Sequence, residues 1–471
     1  MQSASSRVLP FISNVALSTG TSPGKGRNVS QPPTVTALPS GAGLARDDYA
    51  LERVPASARY GWTTIAVQRF GLLSALSQFL LGATLGMGMT FWQAVLAVTL
   101  GSVILEVVAI ALGIAGMREG LSTSLLARWA GFGRYGSGLV GLVIAVCLLG
   151  WFGVQTAVLA QGVSSLLGGS PAWIWAIVGG LAITAIVVHG FAGMAWTAWI
   201  TVPAFLALAG WAIAAELAQR PIGELITSAP AGPAMSLAQG ATLVAGGFIV
   251  GAVISPDMCR FNRSAADVVK QTVIGISLGE YVLALIGVLL AHALRTGDVV
   301  TIVTTTSGTL GVLVLITATA KVNDWNLYAA SLGVTNTLHT AFGLRAGRAT
   351  ITVALGVVGT ALAALGMADH LVDFLIVLGV AIPPIAGIMV AEYFVVRSWG
   401  AELEASRERG ELPARAPGWI PASLVVWVAA ALVGHFVTWG IPALNALLAA
   451  FVLYILVGKA GLTGAARTPT S

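Results

Sequence analysis

Four ionisable side chains, Glu106, Glu280, Lys321 and Asp324, stand inside long apolar stretches of the sequence. A charge in hydrocarbon is costly, so such a group pairs, bonds across helices, or handles a transported ion. Lys321 and Asp324 are three residues apart, a spacing at which they can pair on one helix face. For Glu106 and Glu280 a packing hydrogen bond and a functional role are equally open. A neutral set accompanies these charges. Trp151 and Gln155, in Gly150-Trp151-Phe152-Gly153-Val154-Gln155, are one turn apart and share a face. An indole can stack on a flat heterocycle while an amide donates to and accepts from its edge. A tryptophan facing lipid would instead favour the membrane interface over mid-span. Asn323 and Asn326 offer two more amides. Ala245-Gly246-Gly247-Phe248 contains paired glycines, which weaken a helix. A break there would bare backbone groups to a ligand and make Phe248 a second aromatic face. Close helix packing through small residues is the other reading of the same glycines.

Other chemistry is not supported. The five histidines are scattered, and neither HExxH nor CxxC occurs, so no metal is expected. Cys147 lies in an apolar run and Cys259 in a basic loop, so no disulfide is expected. Gly131-x-Gly133-x-x-Gly136 fits a dinucleotide fingerprint by letter, but it follows no strand and precedes an apolar helix. No nucleophile with an acid–base partner converges, so an enzyme is not expected.

The elements that must position these residues follow from composition. The chain has 471 residues, 56% of them hydrophobic and only 9% charged, with a mean hydropathy of +0.88. A soluble domain carries about 25% charged residues. Such a chain suits lipid, where every backbone group must be bonded internally and apolar runs become helices. Runs at 70–89, 92–115, 136–161, 171–189, 193–215, 236–255, 271–294, 308–330, 349–367, 371–396, 419–437 and 441–458 predict an all-α integral membrane protein of about twelve spans. Residues 1–60, rich in Ser, Thr, Pro and Gly, are predicted to be a disordered cytoplasmic tail, and 459–471 a second one. With both termini inside, the inner loops hold most of the loop arginines, Arg118, Arg128, Arg260 and Arg397 among them, and the outer loops only Arg220 and Arg295. That bias predicts a multi-pass inner-membrane protein with cytoplasmic termini, and it accounts for the net charge of +5 without nucleic acid.

The spans also repeat. Gly101-x4-Glu106-x6-Gly113 in the second recurs as Gly275-x4-Glu280-x6-Gly287 in the seventh, and the same offset carries Trp151 onto Trp325. Five spans separate the copies, an odd number, so the second is upside down, as in secondary transporters. Residues 61–215 and 236–396 would be the two copies, with 419–458 trailing.

The chain resembles the bacterial cytosine permeases of the nucleobase–cation symporter family, which also holds hydantoin, allantoin and purine carriers. The likeness rests on Thr84-Leu85-Gly86-x-Gly88, Gly120-Leu121-Ser122-Thr123-x-Leu125-Leu126-Ala127-Arg128 and Gly150-Trp151-Phe152-Gly153-Val154. It continues in Asp257-x-x-Arg260-Phe261, Asn323-Asp324-x-Asn326-Leu327-Tyr328-Ala329 and Ala381-Ile382-Pro383-Pro384. The resemblance implies a LeuT-type fold of two inverted five-helix repeats plus two helices. It implies a substrate held between Trp151 and Phe248, with Gln155, Asn323 and the backbone at Gly247 reading its edge; Asn326, three residues on, offers a further edge-reading amide by its spacing. One departure bears on coupling. Sodium-coupled members place hydroxyls where this chain has Lys321 and Val322, so the expectation is that the Lys321 ammonium replaces Na⁺ and links to first-span carbonyls near Gly71 and Ser74. Asp324, Glu106 and Glu280 are further coupling candidates.

These readings converge on a secondary transporter that imports a nucleobase, cytosine first, by alternating access with proton coupling. No cofactor is expected beyond the coupling ion, H⁺, with Na⁺ as the alternative. The partners expected are a small-molecule base and the bilayer, for a chain that can work as a monomer. Sodium-independent or sodium-coupled transport of purine, uracil, hydantoin or allantoin is the alternative, and a non-transporting membrane sensor is the reading outside that class. A channel would want a continuous polar lining, whereas the polar residues here cluster at mid-depth.

Overall fold

The computed structural model describes residues 52–73, 76–188, 221–344, 346–437 and 439–463, with isolated positions between 203 and 219. In chain order the helices are α1 (Trp62–Leu73), α2 (Leu76–Gly88), α3 (Phe91–Glu119), α4 (Thr123–Leu126), α5 (Gly133–Leu166) and α6 (Ala172–Val188). They continue with α7 (Ile222–Thr227), α8 (Leu237–Val253), α9 (Ser255–Cys259), α10 (Ala265–Leu294), α11 (Val299–Phe342) and α12 (Arg348–Ala364). The last are α13 (Leu371–Ala381), α14 (Pro383–Val390), α15 (Gly400–Glu408), α16 (Pro421–Phe436) and α17 (Pro442–Lys459). No strand occurs among the described residues.

Each expected span except 193–215, most of which lies outside the described residues, overlaps one of these helices or a helix pair. α3 shows how the sequence bounds a span. Thr90 and Gln93 cap each other's backbone at its start, and Gly120 ends it with φ 63°.

Three spans differ from expectation. The first begins at Trp62 rather than near residue 70, and its two helices are bent by 54°. The eighth is displaced: Val299–Leu313 and Ala318–Phe342 diverge by 64°, so the second arm runs on to Phe342. Gly308, at φ 54°, interrupts the first arm. Hydropathy counts apolar residues and is blind to the direction of the axis, so it joined 308–313 to a helix of another orientation. The sixth span does not break at Gly246-Gly247. α8 is helical to Val253 and breaks at Ile254. The missing side chain of Gly246 is filled from outside, because a Cβ there would lie 2.2 Å from the Leu375 carbonyl oxygen of α13. Gly246 thus admits a neighbouring backbone, as close helix packing through small residues does.

The repeat appears in the packing. Gly101 and Gly113 of α3 receive Val244 of α8 and Cys259 of α9, while Gly275 and Gly287 of α10 receive Arg69 of α1 and Phe79 of α2. A Cβ on any of the four would come within 3.0 Å of that neighbour. The second span thus seats the sixth just as the seventh seats the first.

The expected N-terminal tail reaches less far than residue 60. Val54 is buried and its N–H bonds to Gly120 O, and Tyr60 N–H bonds to Phe261 O. From Arg53 onward the chain is docked on the helices. The remainder of the expected tail lies outside the described residues.

Candidate functional site

α5 carries the heart of the site. Trp151 is buried, with the ring of Phe374 edge-on to it at 5.5 Å and 77°. Gly150 makes that contact possible, since a Cβ there would sit 2.6 Å from the Phe374 ring. Sequence reading missed Phe374, an aromatic in an apolar run with no periodic signal to mark it. One turn along, Gln155 is 1% exposed and its Oε1 has no hydrogen-bond partner among the described residues. A buried amide oxygen left unpaired costs about 1–3 kcal/mol. It is an acceptor awaiting a donor.

Phe248 belongs to the same apolar cluster as Trp151. Its ring lies over its own helix at Gly251, where a Cβ would come 2.4 Å from Phe248 Cζ. Gly247 faces Leu81 of α2. The asparagines are engaged otherwise. Asn323 Nδ2 donates to Phe152 O at 3.1 Å and to Thr156 Oγ1 at 2.8 Å, and its Oδ1 accepts from Asn326 Nδ2 at 3.2 Å. This ladder clamps α11 to α5 on the face beside that of Trp151 and Gln155.

A cavity of about 500 Å³ is lined by Leu80 and Thr84 of α2, by Val154, Val158 and Gln161 of α5, and by Leu371 of α13, while Trp151, Gln155 and Phe248 are not among its lining residues. It lies toward the Gln161 end of α5, away from Arg128 and Arg134. Asp298 and Asp369 stand at its wall. Its floor at Val154 adjoins Gln155 in the chain, and its size suits a small ligand, for which pockets run about 300–1,000 Å³.

The coupling candidates separate. Glu106 is half-buried and accepts from Ser277 Oγ at 2.7 Å, one turn before Glu280, so the two glutamates do not form a carboxylate pair. Glu280 is fully buried, and neither of its oxygens has a partner among the described residues. Asp324 is buried and engaged. Gly71 lies within α1. The side chain of Lys321 and all of Ser74 lie outside the described residues, and with them the expected contact to first-span carbonyls.

The arginine-rich end holds a second cavity of about 480 Å³ and a charge cluster that sequence reading did not assemble. Glu119 accepts from Arg53 at 2.9 Å, Arg407 at 2.7 Å and Tyr393 at 2.7 Å. Two quoted motifs meet nearby, where Asp257 accepts from Thr123 N at 2.9 Å and Thr123 Oγ1 at 3.2 Å. Burial pushes the Asp257 carboxyl above its ordinary range, opposed by the Arg260 charge and these two bonds. Pro383 and Pro384 follow the end of α13, and the carbonyl of Ala381 is taken by Trp427 Nε1 at 2.7 Å.

A family model described as permease for cytosine/purines, uracil, thiamine, allantoin matches residues 54–458. Cytosine permease of Escherichia coli strain K12 is 32% identical over 286 residues, 60% of this chain and 67% of that protein. The same protein of Escherichia coli O157:H7 matches equally. Among solved structures, the inward-facing conformation of Mhp1 matches with a TM-score of 0.75 at 21% identity, over 90% of this chain and 95% of that one. Mhp1 in a closed conformation with bromovinylhydantoin bound, described as a nucleobase-cation-symport-1 family transporter, matches with a TM-score of 0.73 at 22% identity, over 88% and 95%. A Na⁺-coupled sialic acid symporter matches more distantly, with a TM-score of 0.59 at 13% identity over 88% of this chain and 92% of that one.

Proposed function

The chain belongs to the family of permeases for cytosine/purines, uracil, thiamine and allantoin, a transporter rather than an enzyme, and from that premise we propose that it imports a nucleobase, cytosine first, by alternating access. The observation that carries the proposal is the buried Trp151–Gln155 pair, on the same helix as the Val154 and Val158 that line the outer cavity. The indole offers a stacking face, and the unpartnered Gln155 Oε1 offers an acceptor. The amino group of cytosine is a donor that matches it. Phe248 closes the other side of the base. Asn323 and Asn326 reach the base edge only if substrate competes for their present bonds, and their first role is to hold α11 on α5.

We place the protein in the inner membrane with both termini cytoplasmic, on the strength of the arginine bias. The outer cavity then faces the periplasmic side, and the Glu119 cluster the cytoplasm. Transport is proton-coupled, with the Lys321 ammonium standing where sodium-coupled relatives hold the ion.

The test is uptake of radiolabelled cytosine by cells expressing the protein, in sodium-free buffer, with and without a protonophore. Uptake that persists without sodium and collapses with the protonophore is expected. Uptake that needs sodium refutes the coupling. No uptake above empty cells, with or without sodium, refutes cytosine and moves the search to purines, uracil, hydantoins and allantoin.

A further inference from the structure

Glu280 stands at the middle of the 30-residue α10, as Trp151 does near the middle of the 34-residue α5. Its surroundings follow from its neighbours on the helix. Ala284 and Gly287 share its face, and there α10 touches α2. A Cβ on Gly82 would fall 2.0 Å from Ala284 O, and one on Gly287 2.5 Å from Phe79 O. The two helices run in the same direction, since Gly86 of α2 meets Val288 further along α10. One turn back from Ala284 is Glu280, and one turn back from Gly82 is Gln78. The two side chains therefore stand at one level of one interface. Gln78 is 1% exposed, and its Oε1 also lacks a partner among the described residues. The third neighbour is Ser102 of α3, buried and with its hydroxyl unpartnered among the described residues. It shares a face with Thr99, which bonds Tyr281, and with Glu106, which bonds Ser277, so it meets α10 between them.

As an anion, Glu280 would be an uncompensated charge at mid-depth, which the fold tolerates poorly. Protonated, its O–H is a donor facing an acceptor that lacks one. We propose that Glu280 carries the coupled proton, and that its protonated carboxyl donates to Gln78 Oε1 and holds α2 against α10. This deepens the carrier reading and rests on it. The O–H bond forms with a proton taken from water on the outer side. It breaks when the proton passes to water on the inner side, with the Ser102 hydroxyl as donor to the carboxylate left behind. α2 is the link to transport. Gln78 and Gly82 lie on its α10 side, while Leu80 and Thr84 line the outer cavity. A proton on one side of this short helix thereby bears on the shape of the vestibule on the other.

The remaining charged groups are placed elsewhere. Arg69 of α1 spends its guanidinium on Gln271, Ser255 and Cys259, toward the arginine-rich end. Glu106 of α3 bonds Ser277, and Tyr281 on α10 itself bonds Thr99. α2 has no titratable residue. Asp267 and Lys270 stand at the start of α10 and His292 at its end, near Glu224 of α7. Arg118 and Glu119 end α3, and α11 carries Lys321 and Asp324, with Asp298 capping its start.

The experiment is infrared spectroscopy of the purified full chain in lipid bilayers, titrated with acid and base, comparing wild type with Glu280→Gln and Gln78→Leu. A protonated-carboxyl C=O band that titrates in the wild type and is lost in Glu280→Gln is expected. Gln78→Leu should keep the band and shift it, because the O–H loses its acceptor. A wild-type spectrum without such a band, or a band unchanged in Glu280→Gln, overturns the proton site, and an unshifted band in Gln78→Leu overturns the partner. In proteoliposomes, one coupled proton gives about tenfold accumulation of base per pH unit. Glu280→Gln should abolish that accumulation, and wild-type accumulation in the variant overturns the coupling role. Should Glu280→Gln fail to fold, Glu280→Asp keeps a carboxyl and should move the midpoint of the band, an unmoved midpoint counting against the site. The band is a property of the protein alone. A band lost in Glu280→Gln from a protein that carries no base would sustain the proton site while the carrier reading fell.

Discussion

Replacing Gln155 by leucine should move stability and affinity in opposite directions. The side chain is 1% exposed, and its amide oxygen has no partner among the described residues. Leaving a buried acceptor unpaired costs about 1–3 kcal/mol, and the empty carrier bears that cost. Leucine is close in volume and has no polar atom to leave unpaired, so Gln155→Leu should leave the empty protein equally stable or more stable by up to about 1 kcal/mol. The substrate loses the acceptor for its N–H. A net loss of about 1–2 kcal/mol corresponds to roughly 5- to 30-fold weaker binding. Thermal unfolding without ligand measures the first quantity, and calorimetric titration with cytosine the second. Destabilisation of the empty protein by more than about 1 kcal/mol would show that Gln155 holds the fold together. Unchanged affinity would show that its oxygen does not read the substrate.

Two further substitutions test the scaffold. Gly246→Val puts a side chain where the Leu375 carbonyl already lies, 2.2 Å from the Cβ position, so it should destabilise by at least the usual overpacking cost of about 1–3 kcal/mol. It should also abolish uptake by displacing Phe374 from Trp151. Gly247→Ala, whose nearest neighbour is the flexible end of Leu81 at 3.2 Å, should fold normally, and equal damage from both would refute the assignment of close packing to Gly246. Asn323→Ala removes the amide that bridges Phe152 and Thr156 and leaves Asn326 without its acceptor, so a loss of about 1–3 kcal/mol in denaturant unfolding is expected. No loss would mean that water replaces the ladder.

Much of the architecture was legible because lipid leaves a chain few choices. Runs of apolar residues had to be helices, and the positions of α3, α5, α6, α10, α12, α16 and α17 follow from hydropathy alone. The Gly–Glu–Gly repeat was legible for a similar reason. A neighbouring atom within 3.0 Å of the Cβ position leaves room for glycine alone, so the two packing seams leave matching letters in the sequence. Bends left no such mark. The bend between Leu73 and Ser77 and that between Leu313 and Ala318 depend on where neighbouring helices push the axis, and no local residue announces them. Phe374 illustrates the same limit, because its meaning comes from Gly150, far away in the chain.

The sequence by itself determined the solvent, the helical class, the arginine-rich face and the residue types that can hold a flat base. It did so because each of these depends on the chemistry of single residues or on short periods. Only the tertiary structure decided that Gly246 of α8 seats Leu375 rather than breaking the helix, and that Asn323 is tied to α5. It alone left both carboxyl oxygens of Glu280 and the Oε1 of Gln78 buried with no partner among the described residues. Whether a polar group is satisfied is a property of what surrounds it, and those surroundings come from helices distant in the chain.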